Sequence, residues 1–401
     1  MPKYKFTALS ENGENQEGVI EASSVDDARL LLRDRGLYLL ETRELVEKGS
    51  KKEIELSVKI PTSDLAIFCN QFSAVLKAGV SILQALEIMG QQTENKKLKK
   101  VLEDVYSQIQ RGVSVSNAFK EHAKRFPELF ISMLEAGEAS GNLDTALGRM
   151  GLALTKEHKL NQKVKSAMIY PMVLAVVAVL VVIFLMVAVV PTFAGMYSGA
   201  GQELPALTQM MLNIGDFMSR HFIMLLFILV TLVVLIRVIL RIEDVKISFD
   251  RIKLKLPVAG KLMLKIVTAR FTQSMSTLLT SGITLPQAID ITSRSLGNHY
   301  IAGLVRSLNS QIRSGRGLAL PLEELEVFPM MVVQMVHLGE ASGTLDQLLA
   351  KTAEFYEDEA DAATTKLTSL MEPLIILIMG GLILTIVLSI LLPMFGMFSL
   401  I

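Results

Sequence analysis

Chemistry needs reactive side chains held close together, and this chain offers few candidates. Its five histidines, His122, His158, His221, His299 and His337, are scattered, and none stands beside a cysteine or aspartate at metal-ligand spacing. No Gly-x-x-x-x-Gly-Lys phosphate loop occurs. The single cysteine, Cys69, lies between apolar neighbours in a helical pattern, which reads as a buried core thiol rather than a nucleophile, and it excludes an internal disulfide. No catalytic, metal or cofactor constellation emerges, so the expectation is a non-enzymatic protein with no cofactor.

What the chain repeats is more informative. Residues 137–144 read Gly-Glu-Ala-Ser-Gly-Asn-Leu-Asp and residues 339–346 read Gly-Glu-Ala-Ser-Gly-Thr-Leu-Asp, identical at seven of eight positions and 202 residues apart. Phe68, Phe72, Val75, Leu76, Gly79, Gln84 and Ala85 return 203 residues on as Phe271, Met275, Leu278, Leu279, Gly282, Gln287 and Ala288. Two copies of one module are present.

Within the octet, Gly137 and Gly339 open the motif. Ser140-Gly141 and Ser342-Gly343, between helical segments, suit a left-handed helix stop. Asn142 or Thr344 then caps the next helix, and Asp144 or Asp346 falls in its first turn, where a carboxylate favours the helix dipole. Glu138 and Glu340 precede the turn, where capping demands no acid, so each is either a buried structural contact or a charge facing a partner. The oxygen density falls short of a Ca²⁺ loop. His337 aligns with Glu135, which argues against a catalytic group shared by both copies. A further acidic group, Glu354, Glu357, Asp358, Glu359 and Asp361, is either a solvated face or a docking strip for a partner's basic patch.

Helices must position these residues. Pro61-Thr62-Ser63-Asp64 starts one, and Phe68, Phe72, Val75 and Leu76 give it an apolar stripe. Gly79 breaks it and Ser81 can cap the next. Leu98, Val101, Leu102, Val105 and Ile109 form another stripe closed by Gly112, and Phe126-Pro127 opens a helix that runs into the octet. The fold expected is mainly α: each repeat, 61–167 and 241–372, an antiparallel bundle of about six helices, the last continuous with a membrane span. Residues 1–45 read as a small α/β unit, with strands at 4–9, 18–22 and 37–40, a turn at 11–14, and a helix capped by Ser23 or Ser24 that ends at Gly36. The charged stretch 46–60 reads as a linker.

A hydrophobic fraction of 51 % beside 20 % charged residues points to a chain part in membrane and part in water. Residues 168–190, 222–240 and 373–395 are apolar runs; the first, with no charge, is about 34 Å long as a helix, against a hydrocarbon core of roughly 30 Å. Lys and Arg crowd before the first run and after the second, whereas residues 191–221 hold only Arg220. The positive-inside rule then puts the N-terminus and both repeats in the cytoplasm, with a loop at 191–221 and a tail at 396–401 in the periplasm. Pro171 and Pro373 are 202 apart, as are Pro191 and Pro393, so bundle and span duplicated together, on one side of the membrane. Thr385 and Ser389 are the polar groups offered near mid-membrane, which disfavours a small-solute transporter. Gly380-Gly381 suits helix-on-helix packing. A net charge of zero gives no argument for nucleic acid.

Two same-side repeats each carrying Gly-Glu-x-Ser-Gly-x-Leu, a Tyr170-Pro171 pair opening the first span, a Glu372-Pro373 pair opening the last, and the Tyr4, Phe6, Ala8 start resemble the inner-membrane platform proteins of type IV pilus and type II secretion systems. The resemblance covers essentially the whole chain. The tight N-terminal unit and short linker look most like the platform of mannose-sensitive haemagglutinin-type pili. The resemblance implies a multi-pass protein of the bacterial inner membrane with no catalytic activity, working in fimbrium assembly or protein secretion. It also implies partners: a hexameric assembly ATPase, pilin or pseudopilin subunits, other inner-membrane assembly proteins, lipid, and further copies of itself. Glu138, Glu340 and their turns become signature residues that touch either the ATPase or the bundle's own core. A membrane signalling adaptor is the remaining alternative, separated by whether a hexameric ATPase binds.

Overall fold

The computed structural model describes residues 3–10, 15–22, 25–34, 36–45, 59–199, 204–240 and 242–398. They form two compact units, 1–59 and 60–401. The expected turn at 11–14, the cap at Ser23 or Ser24, most of the linker (46–58) and the last residues of the tail lie outside the described residues.

In the first unit, β1 (Lys3–Ser10) is the central strand of an antiparallel sheet, flanked by β2 (Asn15–Glu21) and β3 (Leu37–Leu45). A bulge between Thr7 and Ala8 shifts the β1–β3 register. Helix α1 (Val25–Arg33) covers one face through Leu32, which packs with Tyr4, Ile20 and Ala22. Strand β3 runs five residues past the four that its apolar run suggested, because pairing with β1 continues to Lys3↔Leu45.

The second unit holds the repeats. The first comprises α2 (Thr62–Lys77), α3 (Ile82–Gln92), α4 (Lys96–Gln110), α5 (Val115–Lys120), α6 (Glu128–Ala139) and α7 (Leu143–Phe184). A π-turn, Leu185–Val189, leads from α7 into α8 (Val190–Gly199). Then come α9 (Ala206–Arg220), α10 (Phe222–Ile239) and α11 (Glu243–Lys255). The second repeat follows as α12 (Ala259–Thr280), α13 (Leu285–Ser295), α14 (His299–Arg313), α15 (Ala319–Glu324), α16 (Met330–Ser342) and α17 (Leu345–Phe398). Ser81 caps α3 through the Gln84 amide. Asn95 and Asn298, equivalent residues of the two repeats, cap α4 and α14.

One continuous core runs through both repeats. Its first half is built on Phe68, Phe72, Phe119, Phe126 and Phe130, whose rings stack, tilt or meet edge to face at 4.7–6.5 Å. In the second half Phe271 meets Phe328 at 4.7 Å, and buried hydroxyls of Thr268, Thr272 and Thr292 stand where the first has Leu65, Cys69 and Met89.

Among the described residues, three helices are long and apolar enough to cross a membrane. Two of them, α7–α8 and α17, run unbroken out of the bundles, each about 80 Å long. Pro171 and Pro373 therefore sit inside helices that have already begun. Pro191 lacks an amide proton, and its ring would crowd the carbonyl four residues back; the π-turn immediately before it relieves both problems. The segment 191–221, expected as a loop, is largely helical: α8 continues to Gly199 and α9 returns beside it. Met211, Leu212 and Ile214 pack α9 against Met186, Val190 and Ile386, and Gly215 admits the Met186 carbonyl, which would stand 2.7 Å from any Cβ there. Nothing lies within 4 Å of a Cβ built on Gly380 or Gly381, so within one chain this notch packs against no described atom.

Candidate functional site

The repeated octet turns the chain from α6 into α7 and from α16 into α17. Gly141 and Gly343 both adopt φ of +71°, which an L side chain rarely tolerates. The amides of Asn142 and Thr344 reach back to the carbonyls of Gly137 and Gly339 at 2.9 and 3.0 Å, closing the helix ends. Gly137 and Gly339 are required for a second reason. A Cβ on Gly137 would stand 2.6 Å from the Ala146 Cβ, and one on Gly339 2.7 Å from the Leu345 Cα. Ser140 and Ser342 bond the carbonyls four residues back at 2.8 Å each. Asp144 and Asp346 lie in the first turns, and their carbonyls accept from Ser73 and Ser276, equivalent residues, at 2.6 and 2.8 Å.

Glu138 reaches across to the start of α5, where its carboxylate accepts from the Val115 amide at 2.7 Å, the Ser116 amide at 2.9 Å and the Ser116 hydroxyl. Glu340 does the same at α15, accepting from the Leu318 amide and, at 3.0 Å, from the Ala319 amide. Each acid thus supplies, from another helix, the acceptor that the orphan amides of a short helix lack. Burial raises the Glu138 carboxyl. Hydrogen bonds from Ser116, Val115 and Ser114 outweigh that and hold it below the ordinary glutamate range.

The acidic strip on α17 is divided: Glu354 and Asp358 are exposed, whereas Glu357, Glu359 and Asp361 are tied into the bundles. Lys156 of α7 pairs with Glu357 at 3.4 Å and Lys163 with Asp361, tying the repeats together, while Lys265 of α12 pairs with Glu359 at 2.5 Å. Burial raises the Glu357 carboxyl, and Lys156 only partly offsets it. Further ties between repeats run from Arg149 to the Thr280 carbonyl at 2.6 Å, from Arg270 to Asn161 at 2.8 Å and from Arg294 to Glu128 at 2.8 Å. Leu160 adds an apolar contact with Leu262, Ile266 and Ala360.

At the membrane entry, Tyr170 is exposed and Pro171 buried, whereas Glu372 and Pro373 are both exposed. Thr385 and Ser389, the polar groups of the third span, are satisfied locally. Thr385 bonds the Gly381 carbonyl, Ser389 the Ile386 carbonyl, and Thr208 of α9 the Ser389 carbonyl, at 2.6–2.8 Å. Among the described residues no three His, Cys, Asp or Glu side chains converge as a metal site. Burial drives the Cys69 thiol far up, away from thiolate chemistry.

The chain is thus defined as a helical membrane protein made of two tandem bundle-plus-span modules joined through their long helices. The profile of the type II secretion system protein F matches residues 68–191 and again 271–393, and the N-terminal domain of that protein matches residues 1–43. The chain is 38 % identical to the type IV pilus assembly protein PilC of Thermus thermophilus, over 98 % of both chains. It is 33 % identical to the PilC of Myxococcus xanthus, over 98 % of this chain and 95 % of the relative. With the type II secretion system protein F of Vibrio cholerae it shares 31 %, over 99 % and 98 %. The chain belongs to this family of type IV pilus and type II secretion inner-membrane platform proteins. These relatives span both pilus and secretion systems and do not assign the chain to mannose-sensitive haemagglutinin-type pili.

Proposed function

We propose that this chain is the non-enzymatic platform that couples a cytoplasmic hexameric ATPase to the insertion of pilin or pseudopilin subunits into a type IV pilus-like fibre. The observation that carries this reading is mechanical. The exposed turns at Ser140-Gly141 and Ser342-Gly343 crown the ends of α6 and α16, about 40 Å along α7 and α17 from the start of the apolar runs. Those two helices enter the membrane without a break and are cross-tied by Lys156–Glu357 and Lys163–Asp361. A push or twist at the tips therefore reaches the spans as one displacement. In this arrangement the N-terminus and both bundles are cytoplasmic and the C-terminus periplasmic, as the charge distribution favours. The carboxylates of Glu138 and Glu340 hold the bundle, and the exposed backbone of their turns meets the ATPase. Photo-crosslinking residues at Ala139 and Ala341 test this in cells. Adducts with the ATPase are expected from both sites, and ATPase adducts from neither would refute the assignment of the tips.

A further inference from the structure

Helix α11 leads into the second repeat, and both of its ends are tethered near the membrane. It begins four residues after the last residue of span α10, and the Ile242 amide still bonds the Ile239 carbonyl at 3.1 Å. Its other end leads into α12, whose first turns pack Leu262 and Ile266 against Ala360, Ala363 and Leu367 of α17. Leu367 lies about 9 Å along the helix from Pro373, where the third apolar run starts. A helix of 13 residues, about 20 Å long, with both ends at this depth lies along the membrane surface rather than away from it.

Its faces agree with that placement. Asp250, buried, docks α11 on the second bundle by accepting from the His299 amide and ring and from Lys253, at 2.9–3.0 Å. On the far side Val245, Phe249, Ile252 and Leu256 form an i, i+4, i+7, i+11 stripe, with Phe249, Ile252 and Leu256 from 41 % to 58 % exposed. Arg251 and Lys255 flank one edge of the stripe, and Lys246 and Lys253 the other.

We infer that α11 is an interfacial anchor, its apolar stripe immersed among the headgroups of an anionic bilayer and its flanking cations Lys246, Arg251 and Lys255 paired with lipid phosphates. The anchor holds the second bundle down on the membrane while the signature turns stand clear of it.

The test is depth-resolved spin labelling of the full chain in vesicles, using Ile252→Cys and Leu256→Cys, with Ser307→Cys on an exposed part of α14 as the aqueous reference. Cys69 is buried and stays unlabelled. In phosphatidylcholine with about 30 % phosphatidylglycerol, labels at 252 and 256 should collide severalfold more with oxygen, relative to a water-soluble nickel chelate, than the label at 307. Arg251→Glu with Lys255→Glu should lose that difference. Chelate accessibility equal to that at 307 would overturn the anchor. Shielding from both reagents, or spin coupling between labels, would instead assign the stripe to a protein partner or a second copy. An unchanged ratio in pure phosphatidylcholine would overturn the pairing with anionic headgroups.

Discussion

Replacing Glu138 by alanine separates the two roles that an acid at this position could have. The substitution strips the acceptor from the Val115 and Ser116 amides and from the Ser116 hydroxyl. Losing a helix N-cap costs about 0.5–2 kcal/mol, and a hydrogen bond to a charged acceptor contributes about 1.5–3 kcal/mol. Glu138 is only partly buried, so water recovers some of this, and a net loss of about 2–3 kcal/mol is expected. At roughly 2–4 °C per kcal/mol for a large domain, the melting midpoint should fall by about 5–10 °C. Glu138→Gln keeps one acceptor and should lose about half as much. Glu340→Ala should repeat the effect at α15, and because the acids share no hydrogen-bond partner the losses should add to within about 0.5 kcal/mol. The assay is thermal unfolding of the purified chain in one detergent, beside fibre formation in cells. A midpoint unchanged to within about 1 °C, with fibres abolished, would refute the capping role and assign Glu138 to a partner surface.

Acid should weaken the folded chain through Glu138 and through Asp250. Burial raises each carboxyl, and hydrogen bonds outweigh it, those to Asp250 coming from His299 and Lys253. Both therefore bind protons less readily folded than unfolded. The stability they supply is complete above the unfolded carboxyl pKa of about 4 and is lost as pH falls through the folded values. Melting midpoints between pH 3 and pH 7 check this, and Asp250→Asn should flatten the slope. Gly137→Ala drives a methyl into Ala146 and should cost about 1–3 kcal/mol by parting α6 from α7, read as a lowered midpoint. Lys156→Glu turns the tie to Glu357 into a repulsion, which limited proteolysis should detect as faster cleavage of the bundles. A maleimide should leave Cys69 unmodified until the first bundle unfolds.

Much of this was legible because it rests on local rules. Glycine at a helix stop announces its own conformation, as at Gly141 and Gly343, and an apolar run of 23 residues announces a span. Glu138 and Glu340 were ambiguous for a physical reason. Apart from the Ser116 hydroxyl at Glu138, their donors are main-chain amides 21–23 residues away, and a main-chain donor leaves no complementary side chain to read. The acidic strip on α17 was equally open, since Lys163 and Asp361 are 198 residues apart in sequence. Segment 191–221 read as a loop because it joins two apolar runs on the side poor in Lys and Arg. The π-turn that accommodates Pro191 carries no residue signature of its own, and the fully buried residues of α9, Thr208 and Gly215, are small groups that add little to an apolar stripe.

The most direct measurement is a deletion of this gene in its native host, complemented in trans, with sheared surface fibres and secreted proteins blotted side by side. Loss of surface fibres, with processed pilin accumulating in the inner membrane and restored export on complementation, is the predicted result. Intact fibres with lost exoprotein would move the chain to the secretion branch, and a host with neither defect would contradict the platform function itself.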